Sequence, residues 1–82
     1  MDTEQQVREI LRDVLSLGPR ADRLQEGSAL LGAIPELDSM AVVNVIAALE
    51  DRFGFTVEDD EINGATFASL GSLVSFVRDK SA

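Results

Sequence analysis

The chain has 82 residues, with 15 acidic and 7 basic side chains, giving a formal net charge of −8 at pH 7. That balance repels nucleic acid and anionic membrane and suits a partner with a basic face. Histidine and cysteine are both absent, which removes the usual general base, the thiol nucleophile and the commonest zinc ligands. An enzyme is therefore a poor reading, and no disulfide can supplement the core. The length fits one domain, residues 1–82. A domain of this size buries only about 60 % of its unfolded surface, so its stability should be modest. No stretch is long and apolar enough to span a bilayer, and no signal peptide precedes the first helix. The expectation is a soluble, cytoplasmic protein, monomeric, with no metal site.

Taken in order, the chain first predicts a helix from Asp2 or Thr3 to Leu17. Thr3 with Gln6 reads as a capping box. Val7, Ile10, Leu11, Val14 and Leu15 recur at helical spacing, which leaves Arg8, Glu9 and Arg12 on the solvent side. Gly18-Pro19 ends the helix. Residues 18–38 then form a long connection, and structureless loops of that length are uncommon in a compact domain. Leu24, Leu30, Leu31, Ile34 and Leu37 punctuate it, so it should lie pinned over the core.

The second helix is predicted over Ser39–Phe53. Pro35 disfavours helix at Ile34 before it, and Asp38 is a good N-cap. Helical geometry puts Val42, Val45, Ile46, Leu49 and Phe53 on one face, facing the core. Met40, Val43, Asn44, Ala47 and Asp51 fall on the other. Scattered exposed apolar residues are ordinary, but here they form a stripe beside Ser39, which favours a docking surface. Gly54 is placed for a left-handed helix end. Val57 should point inward.

Glu58 to Glu61 start a short third helix anchored by Ile62. Asp59-x-Glu61-x-Asn63-Gly64 looks like the opening of a calcium loop, but the twelfth position, Leu70, cannot supply the bidentate carboxylate such a loop needs. Asn63-Gly64 makes a turn. A last helix runs from about Ser69 to Lys80, with Leu70, Leu73, Val74 and Val77 as its stripe and Phe67 and Phe76 at the margins. Gly71 sits awkwardly near its start. The pattern as a whole is an all-α bundle of three longer helices, one short helix and a long first loop.

Ser39 is the residue of interest. It lies on the first turn of a helix, where backbone donors and the dipole favour a phosphate. Such a serine is either an ordinary first-turn residue or an attachment point for an anionic group, and residue type alone favours the former. A hydrolase nucleophile is the weakest reading. There is no Gly-x-Ser-x-Gly elbow and no histidine partner.

Asp38-Ser39-Met40 mid-chain, with Phe53-Gly54-Phe55-x-Val57-x-Asp59-Asp60 one helix length later, resembles the acyl carrier protein family from about Val7 to Val77. The resemblance implies a four-helix fold and a 4′-phosphopantetheine arm, derived from coenzyme A, joined to Ser39 by a phosphodiester. It implies that Asp38 serves recognition by a phosphopantetheinyl transferase and helps hold that enzyme's Mg²⁺ during transfer. The arm would carry acyl groups as thioesters to enzymes of fatty-acid, polyketide or related lipid biosynthesis. Those partners would dock on Met40, Val43, Asn44, Ala47, Glu50 and Asp51 through basic or apolar faces. Family members commonly carry acids early in this helix; Ala41 and Asn44 stand at those positions here. The run from Pro35 to Val43 is further similar to stand-alone carriers of bacterial exosortase and exopolysaccharide systems. Two other readings stay open: an unmodified helical interaction module docking through the same helix, and a peptidyl or aminoacyl carrier.

Overall fold

A computed structural model describes residues 2–81, apart from the side chain of Asp59. Three α-helices organise them: α1 (Thr3–Leu15), α2 (Ser39–Phe53) and α3 (Leu70–Ser81). Two 3₁₀ helices, Gly18–Arg23 and Asp59–Glu61, lie in the connections. The expected all-α arrangement of three long helices and one short one is present. The first 3₁₀ helix is an addition the sequence pattern did not reveal.

The cap of α1 differs from the Thr3–Gln6 capping box. Asp2 is the N-cap, and its carboxylate accepts from Gln5 N at 2.8 Å. Aspartate outranks threonine as a cap, so the helix starts one position earlier than the box requires. It also stops earlier than Leu17. Ser16 takes a left-handed conformation, φ 55° and ψ 43°, and donates its N–H to Arg12 O. The turn at Ser16 drops Leu17 into the core at 4 % exposure.

α1 is the shared partner of the bundle, packing along both α2 and α3. Val7, Ile10, Leu11 and Leu15 of α1 meet Val45 and Leu49 of α2 and Leu70, Leu73, Val74 and Val77 of α3 in one core. The fully buried stripe of α2 is narrower than expected. Val42, Ile46 and Phe53 flank it half-buried. Phe67, expected at a margin, is fully buried at 1 % exposure, while Phe76 is half-buried. Arg8 and Glu9 are not simply solvated. Arg8 donates to Leu24 O at 3.0 Å, Gln5 Oε1 at 2.8 Å and Glu4 Oε2 at 2.7 Å. Glu9 accepts from Arg52 of α2 at 3.0 Å.

The first loop is pinned by four of the five apolar residues expected to hold it, and the fifth, Leu31, is exposed. Leu30 and Leu37 are buried, and Leu24 and Ile34 pack against the core. The 3₁₀ helix Gly18–Arg23 adds buried Ala21. A short backbone clasp then ties the loop to the start of α3. Leu30 N donates to Ala68 O at 3.1 Å and Leu31 N to Phe67 O at 3.0 Å. In return Leu70 N donates to Ser28 O at 2.9 Å and Gly71 N to Glu26 O at 2.8 Å. Ser69 and Ser72 cap α3 reciprocally, each backbone N–H donating to the other's hydroxyl at 3.0 and 3.1 Å.

Candidate functional site

The start of α2 is built from both sides. Leu37, buried, anchors the approach. Arg20 of the first 3₁₀ helix pairs with Glu36; its guanidinium holds the Glu36 carboxyl below the usual carboxylate range. The segment before the helix is thereby fixed to the first loop. Asp38 is extended, φ −109° and ψ −172°, and its Oδ1 accepts from Ala41 N at 2.8 Å. Its backbone carbonyl accepts from Val42 N at 2.9 Å. The cap thus occupies the N–H groups of Ala41 and Val42. Those of Ser39 and Met40 are the ones a helix start leaves without an intrahelical acceptor.

Ser39 follows directly and is exposed. Its nearest carboxylate in sequence, that of Asp38, is engaged as the cap, so the serine presents its hydroxyl beside a carboxylate committed to the helix start.

Beside Ser39 lies a cleft of ≈ 490 Å³. Leu31, Val42, Ile62 and Phe67 supply its apolar lining, and Asp38, Ser39, Asn63 and Gly64 the polar part. Three separate segments therefore converge on the serine: the first loop, α2 and the stretch before α3. The sequence singled out Ser39 and Asp38; it assigned Val42 to the core and did not connect Leu31, Ile62, Phe67 or the turn Asn63-Gly64 with the site. The available signal was a loop leucine adjacent to a core leucine, Leu30-Leu31, which alternates inward and outward.

The outer face of α2 is as the helical spacing requires: Met40, Val43, Asn44, Ala47 and Asp51 are all exposed. Met40 is 71 % and Val43 60 % exposed, and Leu31 extends this apolar surface from the loop at 46 %. Glu50 is different. It is half-buried, and its Oε2 accepts from Val57 N at 2.7 Å, which holds the segment after α2. Gly54 ends α2 in the left-handed region at φ 75°, and the rings of Phe53 and Phe55 on either side of it stack with centroids 6.1 Å apart.

A small helical bundle that presents an exposed serine on a capped helix, next to an apolar cleft, has the form of a carrier rather than a catalyst. Residues 5–77 match the family described as phosphopantetheine attachment site. The chain is also 60% identical to a holo acyl carrier protein from Nitrosomonas europaea. The solution NMR structure of that protein matches with a TM-score of 0.90, over 98% of this chain and 96% of that one. The chain belongs to the acyl carrier protein family, and its prosthetic group is 4′-phosphopantetheine. Members of this family are carriers, not enzymes, and work with a phosphopantetheinyl transferase and with acyl-handling enzymes. Among the described residues, no helix is long and apolar enough to cross a membrane.

Proposed function

We propose that Ser39 is the attachment point of the phosphopantetheine arm and that the protein delivers acyl groups to lipid or polyketide biosynthetic enzymes. The observation that carries this is the exposed serine on the first turn of α2, one residue after its cap and on the wall of the cleft. The residues fit the group. The hydroxyl is accessible, the helix start favours a phosphodiester, and the apolar lining suits the aliphatic part of an arm or its cargo. When attached, the arm supplies the thiol that this cysteine-free chain lacks. Asp38 keeps the helix start in place and offers a carboxylate for the transferase to read. We further propose a single domain acting as a cytoplasmic monomer; the family match over most of the chain supports the domain assignment.

Intact mass before and after incubation with coenzyme A and a broad-specificity phosphopantetheinyl transferase tests the site. Wild type should gain one phosphopantetheine and Ser39→Ala none. No gain in a folded protein, with a control carrier loading normally, would favour an unmodified interaction module.

Docking is proposed on the outer face of α2: Met40, Val43, Asn44, Ala47 and Asp51, with Glu50 contributing charge at its edge. Because the first turns carry Ala41 and Asn44 and no acid, partner binding should depend more on Met40 and Val43 than on charge. Met40→Ala or Val43→Ala should weaken partner binding more than Asp51→Asn, with shallow salt dependence. A steep fall in affinity with salt, sensitive to Glu50 or Asp51 and not to Met40 or Val43, would reject this.

A further inference from the structure

The two sides of the cleft beside Ser39 are held in different ways. Leu31 and Phe67 belong to the backbone clasp, where the amide of one donates to the carbonyl of the other. Four backbone hydrogen bonds secure that side against the start of α3. Ile62, Asn63 and Gly64 form another part of the lining and follow the three-residue 3₁₀ helix Asp59–Glu61. This stretch has far less to hold it. Asn63 Oδ1 accepts from Ala65 N at 2.9 Å and Thr66 N at 3.2 Å, which shapes the turn but ties it only to its own continuation. Ile62 packs against the core, half-buried.

Its cross-link to a long helix is Glu61. Both carboxylate oxygens accept from Lys80 Nζ, in the last turn of α3, at 2.7 and 3.0 Å. Oε2 also accepts from Glu58 N at 2.7 Å, closing the 3₁₀ turn on itself. One carboxylate thus fastens the turn and anchors it to α3, immediately before the residues that line the cleft.

We infer that the Glu61–Lys80 ion pair is a latch on the cleft beside Ser39: it holds the Ile62–Gly64 wall in place, and its release lets that wall move while the Leu31–Phe67 side stays fixed. The latch would regulate how readily a group delivered on Ser39 enters the cleft, a role that rests on the attachment proposed above. The mechanical part does not, and can be tested on the unmodified protein.

The test is residue-resolved amide hydrogen exchange by NMR on the full chain, comparing wild type with Lys80→Ala, Lys80→Arg and Arg78→Ala. Lys80→Ala leaves the Glu58 N–H contact of Glu61 available and removes only its partner on α3. Arg78→Ala takes away the same charge two residues earlier. A partly exposed ion pair of this kind supports about a twofold to fivefold change in local opening. Lys80→Ala should speed exchange by that factor at Ala65 and Thr66, whose amides are bonded to Asn63, and leave Leu30, Leu31, Leu70 and Gly71 unchanged. Lys80→Arg and Arg78→Ala should keep wild-type rates at all six. Unchanged exchange at Ala65 and Thr66 in Lys80→Ala would overturn the latch. So would an equal rise at the clasp amides, which reports general destabilisation, or an equal rise in Arg78→Ala, which reports net charge. Failure of Ser39 loading, measured separately by mass, would leave the latch standing and remove only its proposed use.

Discussion

Phe67→Ala is expected to cost about 3–5 kcal/mol of stability, the range for truncating a fully buried aromatic side chain. The side chain is 1 % exposed and belongs to the single core cluster that joins all three helices. It also lines the cleft, so truncation removes packing from both core and cleft. A chain of 82 residues has a total stability on the order of 4–12 kcal/mol. The loss is therefore a large share of the whole, and at the low end of that range it leaves a substantial unfolded population at room temperature. Urea unfolding followed by circular dichroism measures it, with Phe76→Ala as the comparison. Phe76 is only half-buried and should cost clearly less. Equal costs, or a Phe67 cost below about 1 kcal/mol, would mean that the cleft collapses onto the vacated space and recovers most of the lost contacts.

Phe67 also shows where sequence reasoning stops. Its burial is set by a turn, not by a helical period, because it precedes α3 and is held by the amide of Leu31. Periodicity reads only residues inside a regular element, so it ranked Phe67 with Phe76. α2 was legible from end to end because its signals are local. Asp38 caps it, Gly54 supplies the left-handed residue that ends it, and both act within four residues of their own position. Ser39, Asp38 and the exposed stripe of α2 were legible for the same reason. The first 3₁₀ helix was not. Gly18-Pro19 reads as a break, yet Gly18 at φ 60° turns the chain and the ring of Pro19 fixes a φ suited to a helical first turn. The salt link of Glu61 to Lys80 and the placement of Arg8 over Leu24 depend on which helices become neighbours. No spacing within a helix encodes that. The cleft is the extreme case, since its lining comes from three segments brought together only by the fold.

Gly71→Ala sets two effects of opposite sign against each other. Alanine is favoured over glycine in a helix by about 1 kcal/mol, and Gly71 is the second residue of α3. On propensity alone the substitution should stabilise. Against it, a Cβ at this position would stand 2.7 Å from Glu26 Cγ and 2.8 Å from Glu26 O. The side-chain carbon can swing away. The carbonyl cannot move freely, because it accepts the Gly71 N–H at 2.8 Å and lies at one end of the clasp. Relieving the overlap means displacing the loop that carries Leu30, buried at 0 % exposure, and Leu31. Forced backbone shifts of this kind cost about 1–3 kcal/mol, so steric repulsion should win and the variant should be less stable than wild type. Ser75→Ala, at an exposed position of the same helix, is the control that has the propensity gain without the overlap, and it should be neutral or slightly stabilising. Urea midpoints for the two variants decide the matter, with faster amide exchange at Leu30 and Leu31 expected in Gly71→Ala. A Gly71→Ala protein as stable as Ser75→Ala would show that the loop yields at little cost. The glycine would then be a tolerated weak point of α3 instead of the opening through which the first loop reaches the helix.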